Sequence, residues 1–199
     1  MSNNIVIVNT GCANIASVRY ALERLDAKVT ISDVPDVIRS ADKIFLPGVG
    51  TAQAAMSSIE KKGLIDTLKA LTQPVMGACL GMQLMVSRSQ ESITGNTPCL
   101  NWISGNVERM QNNSVRLPHM GWNQIQHTDH PLFQGIKQST YFYFVHSFAV
   151  KPNEYTVATC DYGQRFSAAI AKDNFFGVQF HPERSGEAGA RLLKNFVEW

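Results

Sequence analysis

At 199 residues the chain can build one sizeable hydrophobic core and is short for two. With 44% hydrophobic residues, 17% charged residues and a net charge of +2, it reads as an ordinary globular protein whose charge gives no reason to expect nucleic acid or a membrane as partner. Its four cysteines, Cys12, Cys79, Cys99 and Cys160, are far apart and unpatterned, which argues against a disulfide framework and for a reducing, cytoplasmic setting.

The first apolar run, Ile5–Val8, is too short and too closely flanked by polar residues for a signal peptide, and reads instead as a strand covered on both faces. Ile15, Val18, Ala21, Leu22 and Leu25 follow at helical spacing. Lys28 to Ile31 predicts a second strand, Val34 to Arg39 a short helix, and Lys43 to Leu46 a third strand ended by Pro47-Gly48-Val49-Gly50. Helical patterns run on to Leu71. Pro74 to Ala78 then leads into a helix from Leu80 to about Ser87. This βαβα order predicts an α/β fold, a three-layer αβα arrangement on a mostly parallel, doubly wound sheet.

From about Glu91 the character changes, and an antiparallel excursion is expected. Strand-like pieces fall at Gly105 to Met110, Trp122 to Gln126, Tyr141 to Val145, Tyr155 to Thr159, Ser167 to Ala171 and Phe175 to Phe180. An amphipathic helix closes the chain, with Ala188, Leu192, Leu193, Phe196 and Val197 on its inner side.

The segment richest in chemistry is Met76-Gly77-Ala78-Cys79-Leu80-Gly81-Met82-Gln83. Gly-x-Cys-x-Gly at a strand-to-helix junction is the thiol form of the nucleophile elbow, a sharp turn that exposes one reactive side chain. Glycines are needed there because a Cβ would collide with the elements being joined. The N-terminus of the following helix favours thiolate over thiol. The alternative is a buried structural cysteine in a glycine-containing turn.

A thiol nucleophile needs a base, and the base an orienting group. Of five histidines, His127 and His130 sit in a polar segment that reads as a solvated loop, and metal binding there would need further ligands. His119, after Pro118, reads as a loop or surface residue, and His146 ends an aromatic strand where it could flank the site. His181 is the base predicted here. It ends an apolar strand, Pro182 biases it towards extended backbone, and Glu183 two residues on would then share its face. A carboxylate on one imidazole nitrogen leaves the other free for Cys79 and stabilises the imidazolium. For the oxyanion, the backbone N–H of Leu80 is one donor and the Gly48–Gly50 loop offers a second, each worth on the order of 10²–10³ in turnover. Cys99 and Cys160, with Cys12, read as packing or loop residues.

Gly-x-Cys-x-Gly-x-Gln, an upstream Pro-Gly-x-Gly loop and a C-terminal His-Pro-Glu, in this order, resemble the class I (triad) glutamine amidotransferases. The resemblance covers residues 1–199 as one domain. It implies hydrolysis of glutamine to glutamate and ammonia through a glutamyl thioester, with Cys79 as nucleophile, His181 as base and acid, and Glu183 as orienter. It implies substrate contacts at Gly48, Val49, Gly50, Leu80, Gln83, Tyr143 and Ser147, and calls for no cofactor and no metal. Pro118-His119-Met120-Gly121-Trp122-Asn123, Tyr141 to Ser147 and Phe176 to Ser185 are similar more narrowly to the glutaminase subunits of imidazole glycerol phosphate synthase, from histidine biosynthesis. In that family the partner is a (β/α)₈-barrel cyclase that consumes the ammonia. One departure is Ala13, where relatives often carry glycine.

A partner is also expected on chemical grounds. Ammonia released into water is protonated and lost as a nucleophile, and the chain has no phosphate loop with which to hold an acceptor. Asn14, Met120, Trp122 and Arg184 are the interface candidates, with core packing as the alternative for Met120 and Trp122. Rival readings are the glutaminase subunit of another amidotransferase, a stand-alone cysteine hydrolase, and a non-enzymatic module that kept the fold.

Overall fold

The computed structural model describes residues 4–11, 14–111 and 115–199. In chain order the elements are β1 (Asn4–Val8), α1 (Ile15–Glu23), β2 (Lys28–Ser32), α2 (Pro35–Arg39), β3 (Lys43–Leu46), α3 (Ala52–Lys61), α4 (Ile65–Lys69), β4 (Val75–Ala78) and α5 (Leu80–Met85). There follow β5 (Arg88–Ser89), β6 (Thr97–Pro98), β7 (Asn106–Arg109), β8 (His119–Gln124), β9 (Gln126–His127), β10 (Tyr141–His146) and β11 (Phe148–Val150). β12 (Thr156–Tyr162), β13 (Gln164–Lys172), β14 (Phe175–Val178) and α6 (Gly186–Val197) complete the chain.

The main sheet has eight strands in the order β2-β1-β3-β4-β14-β13-β12-β9. β2 through β14 run parallel, and β13, β12 and β9 continue the sheet antiparallel. Because side chains alternate along a strand, each buried strand feeds two cores. Ile5, Ile7, Phe45 and Met76 pack against α1 and α6 on one face, while Val6, Val8, Ile44, Leu46 and Val75 pack against α2 to α5 on the other. This is the three-layer, mostly parallel arrangement expected. Thr51 caps α3 by accepting from the Ala54 N–H at 3.2 Å, and α6 buries the residues its periodicity selects: Leu192, Leu193, Phe196 and Val197.

Several element bounds differ from expectation by a few residues, β14 ending at Val178 rather than Phe180, and three differences are larger. α5 stops at Met85 rather than near Ser87, because Val86 turns extended and the carbonyls of Leu84 and Met85 accept from Leu100, Trp102 and Ile103 instead of from a further helical turn. The strand expected at Trp122 to Gln126 is two strands. β8 pairs antiparallel with β10 in a separate ribbon, and beyond the buried Ile125 the chain enters the main sheet as β9. A four-stranded sheet, β11-β7-β5-β6, is built partly from pairs of residues too short to carry a strand pattern. Among the described residues no helix is long and apolar enough to cross a membrane.

Candidate active site

β4 and β14 are adjacent parallel strands in register, Ala78 opposite Val178, so the segments that follow them emerge side by side at one edge of the sheet. Cys79 follows the first and His181 lies three residues beyond the second. Topology therefore joins residues about a hundred positions apart, at the carboxyl ends of parallel strands where ligands of such sheets bind.

Cys79 has φ 52° and ψ −112°, a backbone state few non-glycine residues adopt. It is held there by its N–H on the Val178 carbonyl at 2.8 Å and by its carbonyl, which accepts from the Gln83 N–H at 3.3 Å. The flanking glycines are sterically required. A Cβ on Gly77 would lie 2.6 Å from the carbonyl of Gly81, and one on Gly81 would lie 1.9 Å from the carbonyl oxygen of Leu46. The elbow thus exists because β3, β4 and α5 meet backbone to backbone. The Cys79 thiol points to the Val145 carbonyl at 3.7 Å, and Gln179 Nε2 approaches the sulfur at 3.9 Å.

His181 Nδ1 and Glu183 Oε1 are 2.9 Å apart, and both side chains are nearly buried. His181 is extended, but Pro182 to Arg184 form a 3₁₀ turn, so Glu183 reaches the ring round that turn and not along a continuing strand as the i, i+2 argument supposed. Proline, whose φ is preset for the start of a helical turn, accounts for the difference. Burial pushes the His181 pKa down, but hydrogen bonds and charge from Cys79 and Glu183 outweigh it and raise the value to about 10. The histidine's own backbone is fixed by its N–H on the Tyr143 carbonyl at 2.9 Å and by Ser185, whose hydroxyl donates to the His181 carbonyl at 2.6 Å and accepts from the Tyr143 N–H at 3.0 Å.

A cavity of about 400 Å³ opens over Cys79 and His181. Of the anticipated substrate contacts, Val49, Gly50, Leu80, Gln83 and Ser147 line it, beside Cys79 and His181. Gly48 borders a smaller cavity of about 60 Å³ shared with Asn14, His181, Glu183 and Arg184. Gln83 is buried, and its amide nitrogen donates to the Phe148 carbonyl at 3.1 Å and to Gln179 Oε1 at 3.0 Å, which ties the cavity wall together. Tyr143 is absent from the lining of both cavities. Its ring lies between Trp122, edge-on at 6.0 Å, and the Arg184 guanidinium at 5.7 Å. What Tyr143 gives the site is its backbone, which holds His181.

Glu91 also lines the cavity, and burial pushes its carboxyl above the usual carboxylate range. No spacing singled it out, because it falls in a polar stretch with no periodicity to interpret. His146 flanks the site as expected, but His119 is not a loop or surface residue. It is buried, stacked between Phe144 at 4.9 Å and Tyr162 at 3.9 Å, and its Nδ1 lies 2.9 Å from His146 Nε2. Nor are His127 and His130 merely solvated. His127 stacks on Phe133 at 4.7 Å, and His130 accepts from the Leu132 N–H at 3.2 Å and stacks on Trp199. Cys99 and Cys160 are buried, and burial pushes each thiol up to about 12, so both are poor nucleophiles. Cys12 and Ala13 lie outside the described residues.

Met120 and Trp122 are 63% and 54% exposed, which removes the core-packing alternative for both. Asn14, Val49 and Arg184, also exposed, line the cavities, whereas Met120 and Trp122 line neither; Trp122 and Arg184 share contact with the Tyr143 ring. Exposed large apolar side chains are enriched at contact surfaces.

Residues 6–199 match the family model "Glutamine amidotransferase class-I". The imidazole glycerol phosphate synthase subunit HisH of Haemophilus influenzae is 57% identical over 196 residues, covering 98% of this chain and 97% of that protein. The subunit of the same name from Mannheimia succiniciproducens is 56% identical over 195 residues, covering 98% and 99%. The one from Vibrio cholerae is 52% identical over 202 residues, with both proteins fully covered. Among solved structures, a glutamine amidotransferase superposes with a TM-score of 0.75 at 17% identity, covering 97% of each chain. PurLQS from Thermotoga maritima superposes with a TM-score of 0.75 at 16% identity, covering 100% of this chain and 99% of that one. These two are likenesses of fold.

Proposed function

The chain belongs to the class-I glutamine amidotransferase family, and from that membership we propose that it is the glutaminase subunit of an imidazole glycerol phosphate synthase, with Cys79, His181 and Glu183 as its catalytic triad. The observation that carries the reading is the 2.9 Å His181–Glu183 pair together with a cysteine held in the left-handed elbow, Cys79 and His181 lining one cavity. Residues 1–199 act as one domain.

His181 holds the proton taken from the Cys79 thiol, and the thiolate sulfur attacks the side-chain carboxamide carbon of glutamine. The C=O bond becomes an oxyanion, for which the backbone N–H of Leu80 and the Gly48–Gly50 loop are the donors in this reading. His181, protonated at neutral pH, gives its proton to the nitrogen as the C–N bond breaks, so ammonia leaves and a glutamyl thioester remains. His181, now neutral, takes a proton from water. Hydroxide adds to the thioester, the C–S bond breaks, and glutamate departs with the imidazolium restored. Glu183 holds the ring by Nδ1, which keeps Nε2 turned to the sulfur. Glu91 is the carboxylate of the cavity wall that suits the α-ammonium of glutamine, and the Ser147 hydroxyl suits its α-carboxylate.

The acceptor of the ammonia is a cyclase subunit with a (β/α)₈ barrel, docked over Asn14, Met120, Trp122 and Arg184 as a heterodimer in the cytoplasm. The relatives named as synthase subunits, at more than half identity over nearly full length, support this reading. The test uses the assembled synthase. Cys79→Ala is expected to abolish glutamine-dependent product formation and to leave the reaction driven by added ammonium salt unchanged. Loss of the ammonium-driven reaction in that variant, or survival of the glutamine-driven one, overturns the assignment.

A further inference from the structure

Behind the wall of the cavity runs a chain of hydrogen bonds that the chemistry above does not use. The Phe148 carbonyl can only accept, so His146 Nδ1 carries the proton in their 2.8 Å contact. His146 Nε2 is then an acceptor, and His119 Nδ1, at 2.9 Å, is its donor. That leaves His119 Nε2 to accept from Asn123 Nδ2 at 3.3 Å, while the same amide nitrogen donates to the Asp161 carbonyl at 3.1 Å. Asn123 Oδ1 accepts from the Gln124 N–H at 2.8 Å, which fixes the orientation of that amide. Every proton has one consistent place, provided both rings stay neutral. Burial ensures that, lowering His119 to about 4 and His146 to about 3.

This chain spans the β8–β10 ribbon, in which His119 pairs with His146, Met120 with Val145, and Trp122 with Tyr143. The ribbon's inner face carries the histidines. Its carbonyls carry the reacting pair, the Cys79 thiol on Val145 and the His181 N–H on Tyr143. On the reading of the chain as a glutaminase, we infer that His119 is a positioning residue: its Nδ1–H, acting through His146, fixes the ribbon whose backbone places Cys79 and His181 against each other. A shift of the ribbon alters the sulfur-to-imidazole geometry without removing any catalytic group.

The test compares two substitutions in the assembled synthase. His119→Phe keeps a ring between Phe144 and Tyr162 but leaves His146 Nε2 without its donor. The glutamine kcat is expected to fall between about tenfold and a hundredfold with the glutamine KM little changed, the scale set by a small misplacement of reacting groups. Its pH profile should shift, because the His181 environment moves, and ammonium-driven synthesis should stay at the wild-type rate. His119→Asn, whose Nδ2 sits where the ring Nδ1 does, is expected to restore kcat to within about threefold of wild type.

A merely structural role would lower the melting temperature of His119→Phe and leave kcat and the pH profile as they were. That result overturns the inference, and so does an Asn variant as impaired as the Phe variant. Should the Phe variant fail to fold, ring ¹⁵N spectra of the histidines in the full wild-type chain decide. Protonated Nδ1 and bare Nε2 on both rings at neutral pH support the inference, and a proton on His146 Nε2 overturns it. Cys79→Ala in the same assay separates the two readings. If it retains glutamine turnover the glutaminase reading falls, and if it loses turnover while His119→Phe does not, this inference alone falls.

Discussion

β4 and β14 lie in the middle of the main sheet with packed helices on both faces, whereas the β8–β10 ribbon has one face on the core and the other exposed. The first region carries Cys79 and leads to His181, and the Cys79 backbone is tied to Val178 on one side and Gln83 on the other. The second contributes mostly backbone, the carbonyls of Tyr143 and Val145, and turns Met120 and Trp122 outward. The difference teaches how the labour is divided. A strained nucleophile needs a frame that cannot relax, and only a layer with an open face can touch a partner and the nucleophile together.

Four expectations would sharpen or break that division. The largest effect belongs to the rigid region: Glu183→Gln is expected to cut the glutamine kcat by about 10²–10⁴ while the ammonium-driven reaction persists, because the ring loses its charged orienter. Steady-state kinetics of the synthase with each nitrogen donor checks this. Gly81→Ala comes next. A Cβ placed 1.9 Å from the Leu46 carbonyl oxygen forces β3 and α5 apart, and a loss of about 3 kcal/mol or more is expected in denaturant titration.

The ribbon should behave in the opposite way. Trp122→Ala is expected to leave folding stability within about 0.5 kcal/mol and to weaken docking of the cyclase by about 2 kcal/mol or more, read by titration calorimetry. A loss of stability comparable with that of Gly81→Ala would erase the distinction between the two regions.

The last expectation concerns the pH dependence of stability, to which the two regions contribute opposite signs. His181 is raised from 6.5 to about 10, so the stability it adds is fully present below 6.5 and lost as pH rises through about 10. His119 and His146 are lowered from 6.5 to about 4 and about 3, so their contribution is present above 6.5 and lost as pH falls towards those values. Melting temperature against pH should therefore decline at both ends, with Glu183→Gln flattening the alkaline limb and His119→Phe the acid one.

The parallel region was legible in the sequence because strands buried on both faces read as short apolar runs, and because Gly77 and Gly81 mark backbone contacts that nothing larger can occupy. His181 and Glu183 were legible as a pair, although the 3₁₀ turn joining them was not. The ribbon hid more. His119 follows a proline in a polar stretch, and only the long-range pairing of β8 with β10 buries it against Phe144 and Tyr162. Tyr143 lies on the outward side of its strand, so the aromatic run around it could not tell a substrate contact from a surface one. Glu91 owes its place to the loop after β5, whose course no local periodicity encodes.

The account rests on the Cys79 sulfur being the atom that attacks glutamine, and covalent capture tests that most directly. The assembled synthase would be treated with a glutamine-mimicking electrophile and its peptides mapped by mass. The account predicts a single adduct on Cys79, prevented by excess glutamine, with buried Cys99 and Cys160 unmodified. An adduct on either of those two, or an unmodified Cys79 in a synthase that the reagent has inactivated, would contradict it.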